Sequence, residues 1–465
     1  LKIIALLKNF SYTIVSNLVQ LVISTLLVII IPKVVDTREY GLFQIFLLYV
    51  AYVGIAHFGW LDGIYLRYGG AEYEKLDKKK FHQQFILFSL MMIFFAVVMV
   101  LISLFPSFES SRFLLCSLAI AVVIQNMQTF FWYILQATNR IKEYAISNFL
   151  NPFIYACGVL LSLALGFRNY EFFVGSYLIG VAISTVYAML QCKEILFLKH
   201  FSLDFSFEEV KENIQVGIKL VLSNFSGMLV LGIIRMGIER GWNVETFGKI
   251  SLTLGISNLL MIFVGAIGVV LFPMLRRIDV KNMTTIYSSI RHILMITLLV
   301  GTLVYFPIDY IIPKWLPKFK EALVYMSVMF PMVIYQGKFS LLSNTFMKTL
   351  RMEKQLLIVN IATLVCSVFL TIVSVSVFHN LTMTIFSIIL VFAFRSTFSE
   401  IYMKQKLEIN VAGELIIETV MVAGFIGVTW FFPPYISLPT YIVMLIVYIL
   451  VKKDEIKESI QVFNK

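Results

Sequence analysis

Charge is scarce in this chain. Of its 465 residues, 14% are Asp, Glu, Lys or Arg, against 59% that are hydrophobic. A water-soluble protein of this length needs far more polar surface, so that class is excluded. Cysteine is nearly absent. Cys116, Cys157, Cys192 and Cys366 lie far apart, which excludes a disulfide framework and a cysteine metal site. The five histidines are scattered and none has metal-ligand spacing. His57, in an apolar run, reads as a satisfied buried histidine. There is no HExxH, Walker GxxxxGK[ST] or GxSxG pattern. Direct ATP drive and the corresponding hydrolase chemistries therefore lack their residues. The net charge of +11 falls in short connectors, and no basic stretch has the aromatic interleaving of a nucleic-acid surface.

What fills the chain is apolar sequence. A helix needs about 20 such residues to cross the hydrocarbon layer. Fourteen runs approach that length: 10–31, 42–64, 85–105, 113–135, 145–166, 172–190, 214–234, 250–272, 293–312, 322–345, 356–378, 381–402, 412–432 and 435–451. The first is too long for a signal-peptide core and lacks a small-x-small cleavage site, so it is expected to be a retained span. The expected fold is an all-α polytopic membrane protein of about fourteen helices. Lys and Arg crowd alternate connectors, including "KLDKKK" at 75–80, which predicts both termini in the cytoplasm. That cluster reads as a topology anchor.

A repeat runs through the pattern. Ser16-Asn17 precede Tyr40-Gly41 as Ser223-Asn224 precede Phe247-Gly248, with 24 residues inside each copy and 207 between copies. The same offset carries Phe85 to His292 and Pro106 to Pro313. Spans 1–6 and 7–12 therefore read as two copies of one six-helix unit in the same orientation, a transporter architecture. The implied divisions are 1–213, 214–411 and an extra pair with a tail at 412–465.

A charge at the bilayer centre costs about 2.5–3.5 kcal/mol on insertion scales, so such residues face cavities or partners. Lys219, Lys338 and Arg395 are the basic residues inside spans, and Lys338 is the deepest. Arg395, five residues before Glu400, is placed to help neutralise it. Glu414 and Glu418 are four apart on one face of span thirteen, as either a cation or proton site or a hydrated cytoplasmic pair. Arg235 lies near a span end, where snorkelling competes with function. In "FGWLDGIYLRYGG" (58–70), Gly69-Gly70 read as a helix stop and Arg67 as its basic last turn. Asp62 is more than a turn deeper and about 140° around the helix from Arg67, so it needs another partner. Asn17 and Gln20 lie three apart on span one, and Asn126 lies between Gln125 and Gln128 on span four. Such polar groups bind helices together or line a path. The candidate substrate-binding set is Lys219, Lys338, Arg395, Asn17, Gln20 and Asn126. The candidate gating or coupling set is Asp62, Arg67, Arg235, Glu414 and Glu418. No residue is expected to be catalytic or metal-binding.

The segments "YGLFQIFLLYVAYVGIAHFGWLDGIYLRYGG" (40–70), "FGKISLTLGISNLLMIFVGAIGVVLFPMLRRI" (247–278) and "WLPKFKEAL" (315–323) resemble bacterial polysaccharide flippases of the Wzx type. Those belong to the multidrug/oligosaccharidyl-lipid/polysaccharide exporter superfamily. The resemblance implies a non-enzymatic flippase for polyprenyl-pyrophosphate-linked oligosaccharide, such as O-antigen, capsule or exopolysaccharide units. It implies alternating access in the cytoplasmic membrane, no cofactor and coupling to a Na+ or H+ gradient. Its partners would be membrane lipids, a polysaccharide polymerase and chain-length machinery, with no nucleic acid. A cation-coupled drug or metabolite antiporter of the same fold is the alternative.

Overall fold

The computed structural model describes residues 19, 20, 22–197, 207–275 and 282–463, with backbone alone at 262, 263, 265–274 and 463. Among the described residues the ordered elements are helices, and eleven are long and apolar enough to cross a membrane. The protein is thus an all-α, multi-pass membrane protein. Of the other three expected spans, the first lies partly outside the described residues and leaves the shorter apolar helix 22–34. The eighth lies in the Val244–Leu275 helix. The tenth is not one rod. It is interrupted between Met326–Met329 and Met332–Lys338, and then runs on through a π-helical turn, Phe339–Ser343, into Asn344–Thr349.

The chain forms two compact units, Leu1–Phe225 and Ser226–Lys465. Residue 213, the expected edge of the first half, is not in a loop. It is buried within the Phe207–Gly241 helix, whose first turn carries Glu208 and Glu209 where acids suit the helix dipole.

In the first unit the Lys78–Ser103 helix shows how the spans are faced. Phe81, Phe88 and Met92 are fully buried, whereas Leu90, Phe94, Val97 and Leu101 form an outward stripe at least half exposed. That stripe is stable only against lipid. The buried face meets Trp60 and Phe130, with ring centroids 5.5 and 5.8 Å from Phe88. Gln128 donates to Ser184, and Trp132 donates to Ser147, a polar stitch between helices. In the second unit the last two spans are tied by aromatic contacts. Phe425 lies 5.4 Å from Tyr305 and 4.9 Å from Tyr441, whose hydroxyl donates to Leu299 O.

The four cysteines are free thiols. Cys192, just past the Tyr170–Gln191 helix, is fully buried, and burial pushes its thiol up to about 12. The reactive thiolate is thereby cut about a thousandfold. In a variant retaining Cys192 alone, maleimide near neutral pH is expected to leave the folded protein unlabelled and to label it on denaturation. Prompt labelling would show that this corner opens.

Candidate functional site

Three expected site residues meet in one buried network of the second unit. Lys338 Nζ lies 2.5 Å from Glu418 and 3.3 Å from Glu400. Arg291 reaches the same two carboxylates and Glu414, at 2.6, 3.3 and 2.5 Å. Lys452 closes the chain on Glu414 and Glu455. Lys338 and Glu400 have no exposed surface, and Glu418 retains 1%. Three cations thus face four carboxylates, and the three inner acids, Glu400, Glu414 and Glu418, are each paired, with Glu455 at the more exposed edge. The π-helical turn that follows Lys338 puts irregular backbone beside it, a feature frequent at functional positions.

The geometry corrects several expectations. Lys338 does not face an open cavity, because carboxylates surround its ammonium. Glu418 is not hydrated. Glu400 is neutralised by Arg291 and Lys338 rather than by Arg395. Arg291 and Lys452 were missed because each falls outside an expected span. The Met283–Gly301 helix begins well before residue 293 and carries Arg291 inside it. The clue was available: basic residues flank spans nine and fourteen on the side where span thirteen carries its two acids. His292, Glu414 and Glu455 offer ligand atoms within 4.8 Å of one another, but Lys452 already bonds both carboxylates.

Arg395 differs from these cations. It lies on the Leu381–Leu407 helix, half-buried, with Nη2 donating to Asn360 Oδ1 at 2.7 Å. Its guanidinium carbon is 3.9 Å from the centre of the Phe339 ring. Its Nε is buried without a hydrogen-bond acceptor, and no carboxylate pairs with it among the described residues. Gly227 makes room for it, since a Cβ there would come within 2.9 Å of Nη2. Arg235 donates to Ser251 at 3.3 Å.

In the first unit the expected second span is broken. The Thr37–Val50 helix runs into a 3-10 turn, Val53–His57, and a new helix starts at Trp60. Phe58 and Gly59 take φ of 49° and 84° at the break. The reason is a close backbone crossing. A Cβ on Gly63 would lie 1.9 Å from Asn213 O, and one on Gly217 would lie 1.9 Å from Gly59 O. Only glycine permits that approach. Arg67 ends this short helix and pairs with Glu209 at 2.8 Å and Glu212 at 2.5 Å, so it is a clamp on the 207–241 helix as well as a basic last turn. Asp62 is buried, with Oδ2 3.6 Å from His57 Nδ1. Asn126 donates to Val53 O and Val122 O and so braces the break. Lys219 is exposed. Gln20 lines a cavity of about 280 Å³ with Tyr40, Asn151, Tyr155 and Tyr177. Asn17 lies outside the described residues.

A sequence signature described as polysaccharide biosynthesis protein matches residues 6–279, more than half of the chain. The chain belongs to that family. No curated protein matches it in sequence. Its fold is similar to that of solved transporters. An inward-facing multidrug resistance MATE family transporter of the MOP superfamily is 14% identical, with 84% of this chain and 98% of that chain covered and a TM-score of 0.63. The lipid II flippase MurJ, in an inward closed conformation, is 13% identical over 96% of this chain and 99% of that chain, with a TM-score of 0.58. A MOP superfamily transporter from Pyrococcus furiosus, described as having a binding pocket of reverse polarity, is 15% identical over 86% and 96%, with a TM-score of 0.53. Identities at this level establish a common fold. This member of the polysaccharide biosynthesis family therefore shares its fold with MOP superfamily transporters.

Proposed function

We propose that the protein flips polyprenyl-pyrophosphate-linked oligosaccharide across the cytoplasmic membrane by alternating access, with both termini in the cytoplasm. Fourteen spans, arranged as two six-helix repeats and a C-terminal pair, would carry this out. A Na+ or H+ gradient would drive it. The observation that carries the reading is Arg395, an in-membrane guanidinium with one amide partner and, among the described residues, no carboxylate. Its planar fork of donors suits a pyrophosphate, and a low dielectric strengthens that attraction. Lys338 and Arg291, already neutralised, serve the architecture of the unit instead. Exposed Lys219 would meet the anion at the membrane surface, and the amides around Gln20 would meet the glycan.

The test is surface glycan in a strain that depends on this protein. Arg395→Ala is expected to lower it about tenfold or more at unchanged membrane abundance, with partial recovery in Arg395→Lys. Normal glycan in Arg395→Ala would sink the anion site. Resistance to organic cations, with no effect on glycan, would instead identify an antiporter.

A further inference from the structure

The break in the second span holds a buried acid that the anion pathway does not use. Asp62 is 3% exposed, and its Oδ2 has no hydrogen-bond partner. The groups facing it come from each packed element. Tyr133, on the Arg112–Ala137 helix, turns its hydroxyl toward the carboxyl. His57, on the 3-10 turn, is 3.6 Å from Oδ2. Gln84, on the Lys78–Ser103 helix, accepts from Trp60 and Asn213 through Oε1, while its Nε2 is buried without an acceptor. Asn213 is shared with Arg67. Among the formal charges on these elements, Arg67 pairs with Glu209 and Glu212 at the far end of the short helix.

His57 Nδ1 accepts the Gly59 N–H at 3.1 Å, so that nitrogen carries no proton of its own. An ionised Oδ2 would therefore face a nitrogen lone pair across 3.6 Å, buried and without a donor. That arrangement is unfavourable, because the charge is buried and one of its two oxygens has no donor. A proton on Oδ2 removes the charge and supplies the missing donor.

We propose that Asp62 binds a proton at the break in the second span, and that its release reseats the 207–241 helix. The carboxylic acid gives up its proton to become a carboxylate. That proton passes to solvent, and the donor at hand for the carboxylate is His57, which stays neutral by moving its ring proton from Nε2 to Nδ1 and so displaces the Gly59 N–H. Gly59 sits at positive φ with its Cα packed so closely on the Gly217–Ile218 backbone that a Cβ there would lie 2.6 Å from Ile218 N, so the Gly59 N–H cannot swing away without pressing on the helix it touches. The proton is thus linked to the glycine crossing rather than to the carboxylate network of the second unit. The inference depends on the flippase reading for what the proton drives, not for the site itself.

Infrared difference spectroscopy of the full chain in lipid nanodiscs, titrated with pH in sodium-free buffer, reads a protonated carboxyl directly. A protonated-carboxyl band that disappears with rising pH is expected, and it is absent from Asp62→Asn. In His57→Gln, whose amide donates to the ionised Oδ2, the midpoint is expected about one pH unit lower. Hydrogen–deuterium exchange over 207–225 should follow the wild-type midpoint and be flat in Asp62→Asn. A spectrum unchanged across pH would overturn the proposal, as would a band that responds to sodium at constant pH or a midpoint indifferent to His57→Gln. If these readouts behave as expected while no glycan is flipped, the flippase reading falls and the proton site stands.

Discussion

Glu418→Ala is expected to destabilise the protein by about 3–5 kcal/mol. The side chain is buried and holds Lys338 at 2.5 Å and Arg291 at 2.6 Å. Its removal leaves buried Lys338 with Glu400 alone, at 3.3 Å, and Glu400 is shared with Arg291, which keeps Glu414 as its close partner. Most of the loss is the cost of the unpaired charge rather than the worth of the pair. Removing charge from both sides should therefore recover most of it, and Lys338→Met with Glu418→Leu is the matched pair. Denaturant or thermal unfolding of the solubilised protein measures both. If the double variant is as unstable as the single, the network contributes shape rather than charge balance. The same double variant separates structure from transport. With Lys338 a structural cation, it should still restore surface glycan, whereas Arg395→Ala should not.

The second large effect is expected at Gly63→Val. A Cβ at this position would stand 1.9 Å from Asn213 O and 2.4 Å from its carbonyl carbon. The obstacle is backbone, which no rotamer change relieves. The 207–241 helix must therefore move away, breaking the hold of Arg67 on Glu209 and Glu212. Overpacking typically costs about 1–3 kcal/mol, and a backbone clash lies at the upper end. Transport should be lost, and protection from hydrogen exchange should fall over both 59–67 and 207–225. Gly54→Ala, where a Cβ meets nothing within 4 Å, is the matched control and should be neutral. Equal behaviour of the two variants would mean that the glycine crossing opens freely.

How much of this was legible in the chain depends on the residue. Membrane insertion was, because the outward stripe Leu90, Phe94, Val97 and Leu101 has no stable place in water. That Asp62 needed a partner away from Arg67 was also legible, from helical angle alone. Arg67 was half legible: its end-of-helix role followed from Gly69-Gly70, but its acids lie more than 140 residues along the chain. Arg291 was not legible as a buried cation, since hydropathy ends a span where charge begins and cannot see a partner that lets the helix continue.

By itself the sequence determined the class: an all-α, multi-pass membrane protein with short connectors, in-span charges, and no nucleotide or metal motif. Those follow from transfer free energies, which each residue carries wherever it sits. Only the tertiary structure decided which charges cancel. Lys338 and Arg395 look alike in sequence, yet one is enclosed by Glu400 and Glu418 and the other faces Asn360 and Phe339. That difference is a matter of distance between segments remote in the chain. Electrostatic energy falls with separation and rises as water is excluded, and neither separation nor exclusion is a property of a residue alone.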